Sequence, residues 1–467
     1  MEQQTENKEM KDDRKQLFSG VRGTSVKILN RVERTDSYLD KLLESELRSG
    51  ELNDFDKALL MEIVHGVLRW QSKLDWVLNG FFHGNFAKAE VTVRNTLRAA
   101  LYQILFLEKV PDHAAVNEAV EFIKRIRGEK AAGLVNGVLR NIIRNKEGIH
   151  YPDVQNDAAL YLSTMYSFPL WMVKRWMNRF GFHETEKLLE AQNQKPGLTL
   201  RINTMKTSVE DFMKMFDLQN IPYDKSRYLP RFLRSSGLTN ISNSEIFRRG
   251  FFTIQDESAG LAATLLDVKP GDRVIDLCSA PGGKTTFFGE TMKNQGTIVA
   301  VDKYQTRLNL VKSTCERLGI TNVEFVAADA TEFQTEPADK VLIDAPCSGL
   351  GVLSKKPDIK IKREMRDINE VVKIQEQLLK NAASLVKPGG VIVYSTCTIE
   401  PEENFMVVKK FLEAHPEFEI DHAAKYADEK IVSADGFIET FPHRNGIDGS
   451  FAIRLVKNLD SATFEAH

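Results

Sequence analysis

Apolar residues recur at helical spacing through the first third of the chain. Val116, Ala119, Val120 and Ile123 stand at i, i+3, i+4 and i+7, and Leu134, Val138 and Ile142 keep a four-residue step. Residues 19–150 are therefore expected to form an all-α domain. The preceding residues 1–18 are polar and aperiodic and read as a flexible tail. Residues 151–235 mix a helical stretch at 171–189 with the strand-like run 198–203, so a small α+β connector is expected there. Farther on, short apolar or β-branched runs at 273–277, 297–301, 323–327, 341–343 and 391–394 alternate with helix-length segments. That alternation predicts a doubly wound α/β domain with a parallel sheet over 236–467.

Charge refines this picture without deciding it. The chain has 467 residues, too many for one core, and 63 Lys and Arg against 65 Asp and Glu give a net charge of −2. Contact with nucleic acid must then rest on local basic faces. One candidate is the run Lys124, Arg125, Arg127, Lys130, Arg140, Arg144 and Lys146, set against a single acid, Glu129. Such a run can neutralise several phosphates, although a solvated helix face is its ordinary explanation. Another is Arg227, Arg231, Arg234, Arg248 and Arg249, interleaved with Tyr228, Phe232 and Phe247, residue types that suit single-stranded RNA. Only four Cys are present, away from His at metal spacings, which argues against zinc or disulfide frameworks and suits reduced thiols in a cytosol. No apolar stretch approaches the roughly 20 residues that cross a bilayer, and the charged start is unlike a secretory signal. A soluble, cytoplasmic protein with no membrane partner is expected.

The chemistry concentrates at the expected strand ends. Asp276-Leu277-Cys278-Ser279-Ala280-Pro281-Gly282-Gly283-Lys284 follows the first strand of the α/β domain and opens its first helix. A glycine-rich turn there lets backbone approach a ligand and points helix N-terminal N–H groups at it. A nucleoside triphosphate fits poorly, because Cys278 stands where a P-loop needs its first Gly. A dinucleotide fits poorly too, because the two glycines are adjacent and the three-glycine spacing is missing. S-adenosyl-L-methionine is left. Asp302 closes the second strand, placed to take ribose hydroxyls, and Asp329 follows the third, placed to accept from the adenine amine. One acid at a strand end is usually a turn or cap residue. Asp276, Asp302, Asp329 and Asp344 in register with a glycine turn weaken that account.

Cys347, in Asp344-Ala345-Pro346-Cys347-Ser348-Gly349, and Cys397, in Ser395-Thr396-Cys397-Thr398, each follow an apolar run. Cytosine C5 is too weak a nucleophile to take a methyl group unaided. A thiolate adding at C6 makes an enamine whose C5 can attack, and loss of the C5 proton and the thiol restores aromaticity. The reaction needs a thiolate, an acid near N3 and a base. Asp344 can serve N3, either thiol can attack, and the other can assist proton removal or release. Lys284 is a candidate positive neighbour for the thiolate. Cys278 and Cys315 read as small core hydrophobes.

These segments closely resemble the RNA 5-methylcytosine methyltransferases. So do Ile399-Glu400-Pro401-Glu402-Glu403-Asn404, Phe252-Thr253-Ile254-Gln255-Asp256-Glu257-Ser258 and Lys356-Pro357-Asp358-Ile359-Lys360. The helical front, with Pro111-Asp112-His113-Ala114-Ala115-Val116-Asn117-Glu118-Ala119-Val120, resembles a NusB-like RNA-binding domain, a combination similar to the Sun/RsmB branch. The resemblance implies a multidomain chain: an all-α NusB-like N-terminal domain, an α+β connector and a Rossmann-like α/β S-adenosyl-L-methionine-dependent methyltransferase domain. It implies cytosine-C5 methylation of 16S ribosomal RNA, or of a small-subunit assembly intermediate, by a monomer. It also implies that Cys397 attacks and Cys347 assists release, an order the residues alone leave open. DNA cytosine methyltransferases use the Pro-Cys thiol to attack, so Cys397 is the discriminating residue. Cofactor contacts are implied at Cys278, Ser279, Ala280, Pro281, Gly282, Gly283, Lys284, Asp302, Asp329 and Asp344. The chain departs from the pattern at Ser279 (commonly Ala), Ile361 (frequently Trp) and Ser450 (commonly aromatic), none of which touches the expected chemistry. Transfer RNA as substrate and a non-catalytic assembly factor are the competing readings. The NusB-like front argues against the first, and the presence of Asp344 and Cys397 against the second.

Overall fold

The computed structural model describes residues 17–35, 39–48, 52–238, 241 and 244–459, so the expected tail over 1–18 lies almost wholly outside the described residues. The chain divides into two compact units, one formed by 1–194 with 353–363 and the other by 195–352 with 364–467.

The first unit is helical. Gly20–Arg34, Leu39–Arg48, Asp54–Arg69, Gln71–Phe81, Val91–Phe106, Asp112–Arg127 and Glu129–Arg144 enclose one core. Side chains answer the free N–H groups at helix starts: Asn53 accepts from Asp56, and Glu90 from Thr92 and Val93. Val116, Ala119 and Ile123 are buried, as their spacing predicts. On Glu129–Arg144 the buried stripe is Val135, Val138, Leu139 and Ile142, whereas Leu134, expected inside, is exposed. A strict four-residue step drifts off a 3.6-residue stripe within two turns. The seven cations of the basic run are all exposed, with Lys124 paired to Glu129 and Arg127 to Glu90.

Helices Ala158–Tyr166, Leu170–Phe180 and Phe182–Asn193 belong to the same unit. The single helix expected over 171–189 breaks at Gly181, whose φ of +78° ends one helix and admits the next. Segment 353–363, which follows the Pro-Cys loop in sequence, also packs here. The Leu353 N–H donates to Gln192 Oε1 at 3.1 Å, and Arg69 Nη2 to Ser354 O at 2.8 Å. The buried Lys360 ammonium donates to Asn193 Oδ1 at 2.6 Å and lies 3.5 Å from the Phe168 ring centre. Burial holds its pKa well below the ordinary lysine value.

The second unit contains two sheets. The small one is antiparallel, in the order β2-β3-β1-β4, from β1 (Leu198–Ile202), β2 (Tyr223–Lys225), β3 (Phe232–Ser235) and β4 (Phe252–Ile254). Helix Val209–Leu218 packs Phe212 and Phe216 against Leu200, Ile202, Leu233 and Phe252. The arginine and aromatic cluster expected to hold RNA is partly engaged within the fold. Phe232 is buried, Arg231 lies 3.6 Å from the Phe287 ring centre, Arg234 pairs with Glu257, and Arg317 lies 3.9 Å from the Phe247 ring centre. A ring that fills a core or already carries a guanidinium is not free to stack a base. Arg227, Arg248 and Arg249 are exposed.

The large sheet runs β10-β12-β9-β8-β5-β6-β7, with β11 paired to β12. Its strands are β5 (Arg273–Leu277), β6 (Thr297–Asp302), β7 (Val323–Ala327), β8 (Ala338–Asp344), β9 (Val386–Thr396), β10 (Phe418–Ile420), β11 (Ile438–Thr440) and β12 (Ser450–Lys457). β5 to β9 pair in parallel. Ile275, Val299, Val341 and Ile392 fill one core, and Val274, Ile298, Leu342 and Val393 another. Burial of both faces is why these strands read as apolar runs. The sheet is mixed rather than purely parallel, because β12 pairs antiparallel with β9, β10 and β11. β12 carries the buried Arg454, answered by Asp421 at 2.7 Å and by the carbonyls of Leu265 and Leu266. Strand order reverses between β5 and β8, and ligands of such sheets bind at the carboxyl ends around that point. No helix among the described residues is long and apolar enough to cross a membrane.

Arg201 of β1 ties the small sheet to the helix after β5, Gly283–Thr291. Its guanidinium, 0% exposed, donates to Gly283 O and Gln255 Oε1, each at 2.5 Å, to Thr286 Oγ1 at 2.9 Å and to Glu290 Oε1 at 2.8 Å. Removing one partner of a buried ion pair strands the other. Arg201→Leu is expected to lower the unfolding free energy by about 3–5 kcal/mol in urea titrations, and a loss under about 1 kcal/mol would contradict this role.

Candidate active site

β5 ends at Leu277 and the chain turns through 278–282 into helix Gly283–Thr291. The Ser279 N–H donates to Val301 O and the Gly282 N–H to Ser279 O, both at 2.8 Å. Gly282 has a φ of +101°, and a Cβ there would meet Val311 at 3.0 Å, so both conformation and space call for glycine. Three buried oxygens around the turn make no hydrogen bond: Asp276 Oδ1, Ser279 Oγ and Asp302 Oδ2. Buried polar atoms are rarely left so, and this set fits a polar ligand carrying its own donors.

Asp276 accepts from Thr285 Oγ1 at 2.6 Å through its other oxygen. Burial, opposed by that hydrogen bond and helped by the Asp344 charge, pushes its pKa up to about 7. Asp302 accepts from the Tyr304 N–H at 3.1 Å and lies 3.4 Å from Arg307, which donates to Ala280 O at 3.1 Å. Asp329, two residues beyond β7, is exposed. Lys303 at 2.9 Å and the hydroxyl and N–H of Thr331 hold its pKa down at about 2. Pro281 is exposed beside the half-buried Cys278, whose pKa is pushed up to about 12 by burial and by the charges of Asp344 and Asp276. Burial likewise pushes Cys315 up to about 12, which leaves both thiols unreactive.

The other two thiols meet. β8 and β9 pair so that Asp344 stands opposite Ser395, and the loops that follow bring Cys347 Sγ to 3.2 Å from Cys397 Sγ. Cys397 is exposed and Cys347 half-buried. The hydrogen bond to Cys397, then burial, then the Glu403 charge hold Cys347 well above the ordinary thiol value. Lys284 Nζ lies 2.7 Å from Asp344 Oδ2, and Ser395 Oγ donates to Asp344 Oδ1 at 3.2 Å. Burial works against the Lys284 ammonium, but Asp344, with Asp276 and Cys397, more than offsets it, so its pKa stays raised. The structure thus gathers Asp344, Lys284, Cys347 and Cys397 at the carboxyl ends of β5, β8 and β9, next to the 278–283 turn. Asp302 and Asp329 lie at successive strand ends beyond it.

Sequence reading left one buried group without a role. Glu403 accepts from the Ser348 N–H at 2.7 Å, Ser348 Oγ at 2.5 Å, and Thr398 Oγ1 and Gln375 Nε2, each at 3.3 Å. Burial raises its pKa. Neighbouring Asn404 accepts from Thr396 Oγ1 at 2.6 Å and donates to Thr398 O at 3.1 Å. The one sequence signal was their place in the segment after Cys397, where an acid-rich turn ordinarily reads as surface.

Residues 263–456 match the family described as 16S rRNA methyltransferase RsmB/F, residues 19–144 the NusB family, and residues 168–240 the RsmF/B-like ferredoxin-like domain. A relative from Bacillus subtilis (strain 168), named "Probable ribosomal RNA small subunit methyltransferase B", is 38% identical over 94% of this chain and 99% of its own length. The chain belongs to the RsmB/F family of 16S rRNA methyltransferases. A relative of the same name from Synechocystis is 34% identical over 92% of this chain and 98% of its own. The crystal structure of PH0851 has a TM-score of 0.78 and 28% identity, covering 93% of this chain and 98% of its own. That of NSun6 from Pyrococcus horikoshii with SFG shares the fold, with a TM-score of 0.55, 23% identity, and coverage of 61% and 97%. As an RsmB/F methyltransferase the chain has a NusB domain, a ferredoxin-like connector, which is the α+β element expected from sequence, and a Rossmann-like domain with a mixed sheet.

Asp276 yields a test of the turn's electrostatics. Its folded pKa of about 7 lies above the ordinary 3.8, so between those values the native state holds a proton that the unfolded chain releases. Its contribution is therefore full below the unfolded pKa and lost as pH rises through the folded one. Asp276→Asn is expected to gain stability relative to the parent as pH rises from about 4 to about 7, levelling off above that, in paired denaturant titrations. A pH-independent difference would contradict the assignment.

Proposed function

We propose that this RsmB/F chain methylates C5 of a cytosine in 16S ribosomal RNA, free or within a small-subunit assembly intermediate, through a covalent bond between Cys397 and C6. The observation that carries the proposal is the exposed Cys397, 3.2 Å from a protonated Cys347 and beside the Lys284–Asp344 pair. Residues 19–150 and the connector 151–235 serve RNA recognition in this reading, and 236–467 the chemistry.

S-adenosyl-L-methionine would be held by the 278–284 turn with Asp302, Asp329 and Asp344, and supplies an electrophilic methyl group when bound. The unanswered oxygens of Asp276 and Ser279 support that fit. The thiolate of Cys397 adds to C6 as the ring's C5–C6 electron pair moves to C5. Asp344, oriented by Lys284 and Ser395, serves N3. Once C5 carries the methyl group, its remaining proton must leave. Cys347, 3.2 Å from Cys397 Sγ, first gives its own proton to water. Its thiolate then takes the C5 proton, the C5–C6 double bond re-forms, and the C6–S electron pair returns to Cys397. The target base must be unpaired or flipped for either thiol to reach it.

Cys397→Ala is expected to abolish methyl transfer to rRNA while cofactor affinity changes by less than about twofold, since only the bond-forming group is lost. Full activity of that variant would overturn the mechanism. Cys347→Ala is expected to accumulate a protein–RNA adduct on denaturing gels in the presence of cofactor. Rapid turnover without an adduct would remove Cys347 from release.

A further inference from the structure

The loops bearing the two thiols come from different strands, so something must hold their sulfur atoms at working distance. We infer that Glu403 is the positioning residue that sets the spacing between Cys347 and Cys397. Its carboxylate is fully buried and grips the chain on both sides. On the Cys347 side one oxygen accepts the Ser348 N–H at 2.7 Å and the other the Ser348 hydroxyl at 2.5 Å. Gln375 extends the grip, donating to Pro346 O at 2.9 Å and to Glu403 Oε2 at 3.3 Å, so both residues flanking Cys347 are held. On the Cys397 side Thr398 Oγ1 lies 3.3 Å from Glu403 Oε1 and 2.8 Å from Ser348 Oγ, which closes a three-membered polar cluster beneath both cysteines. Glu403 is itself fixed, because its carbonyl accepts from the buried Tyr394 hydroxyl of β9 at 2.6 Å.

A carboxylate suits this task. It accepts four hydrogen bonds across two oxygens in fixed geometry, whereas an amide offers one accepting oxygen and a donor that would meet the Ser348 N–H or hydroxyl. Glu403 touches no reacting atom. It acts through the neighbours of the thiols, and its loss should separate the sulfur atoms while leaving Cys397 free to attack.

The inference rests on the proposed division of labour between the thiols, so its test carries a readout that does not. Full-length parent, Glu403→Gln and Ser348→Ala are compared in capture of phenylarsine oxide, whose arsenic bridges two neighbouring thiols, and in rRNA turnover. Ser348→Ala keeps the backbone bond to Glu403 and the fold if Glu403→Gln fails to fold. Both variants are expected to bind the arsenical about tenfold more weakly, with iodoacetamide alkylation of Cys397 unchanged, as loss of a charge-assisted hydrogen bond at the spacer would produce. In turnover, kcat falls about tenfold with the KM for RNA within about twofold, and adduct accumulates as for Cys347→Ala. Parent-like arsenical capture in both variants would overturn the inference, whatever the RNA assay shows. Equal loss of alkylation, arsenical capture and thermal stability would also overturn it, as the mark of a merely structural group. Weakened capture with no adduct in any variant, Cys347→Ala included, would leave the spacing role standing and overturn the covalent mechanism instead.

Discussion

The parallel pairing of β8 with β9 is the constraint on which the site depends. Parallel neighbours end on the same side of a sheet, less than 5 Å apart, so whatever follows them in sequence leaves side by side. Asp344 stands opposite Ser395 at that end, and the chain beyond each strand then needs only a short loop to bring Cys347 and Cys397 together. A one-residue slip would turn Asp344 to the other face and part the sulfur atoms. The register is held by Val341, Ile343, Ile392 and Tyr394, all fully buried. Core packing and the spacing of the two thiols are the same fact seen from two ends of the strands.

Charge builds on that frame. β5 lies beside β8, so the turn after it delivers Lys284 to Asp344. Burial works against the Lys284 ammonium, and the Asp344 charge more than offsets it. Asp276, one residue before the end of β5, lacks such a partner and titrates near neutrality instead. Arg201 anchors the same helix from the small sheet, so the connector's first strand also bears on the turn.

Much of this is legible in the amino-acid order. Strands buried on both faces leave apolar runs, and the runs at 273–277 and 297–301 fall on β5 and β6. Acids placed at their ends are visible for the same reason. Legibility fails where a residue's role is set by partners remote in sequence. Arg454 disguises β12 because Asp421 and two carbonyls that satisfy it are not its neighbours in the chain. Leu134 is misplaced because a four-residue step approximates a helix stripe only locally. Gly181 divides a pattern that apolar spacing would run together. Glu403 reads as an ordinary surface acid until the fold buries it between two cysteine loops. Phe232 and Arg231 are the converse, residue types suited to RNA that the fold turns inward.

The division of labour between the thiols is the central claim, and RNA carrying 5-fluorocytidine tests it most directly. Fluorine at C5 cannot leave as a proton does, so an enzyme that attacks C6 is trapped on its substrate after the methyl group arrives. Mass-spectrometric mapping of the complex formed by the parent enzyme, cofactor and fluorinated 16S RNA should place the RNA on the peptide that contains Cys397. A linkage at Cys347, or methylation with no trapped complex, would contradict the account.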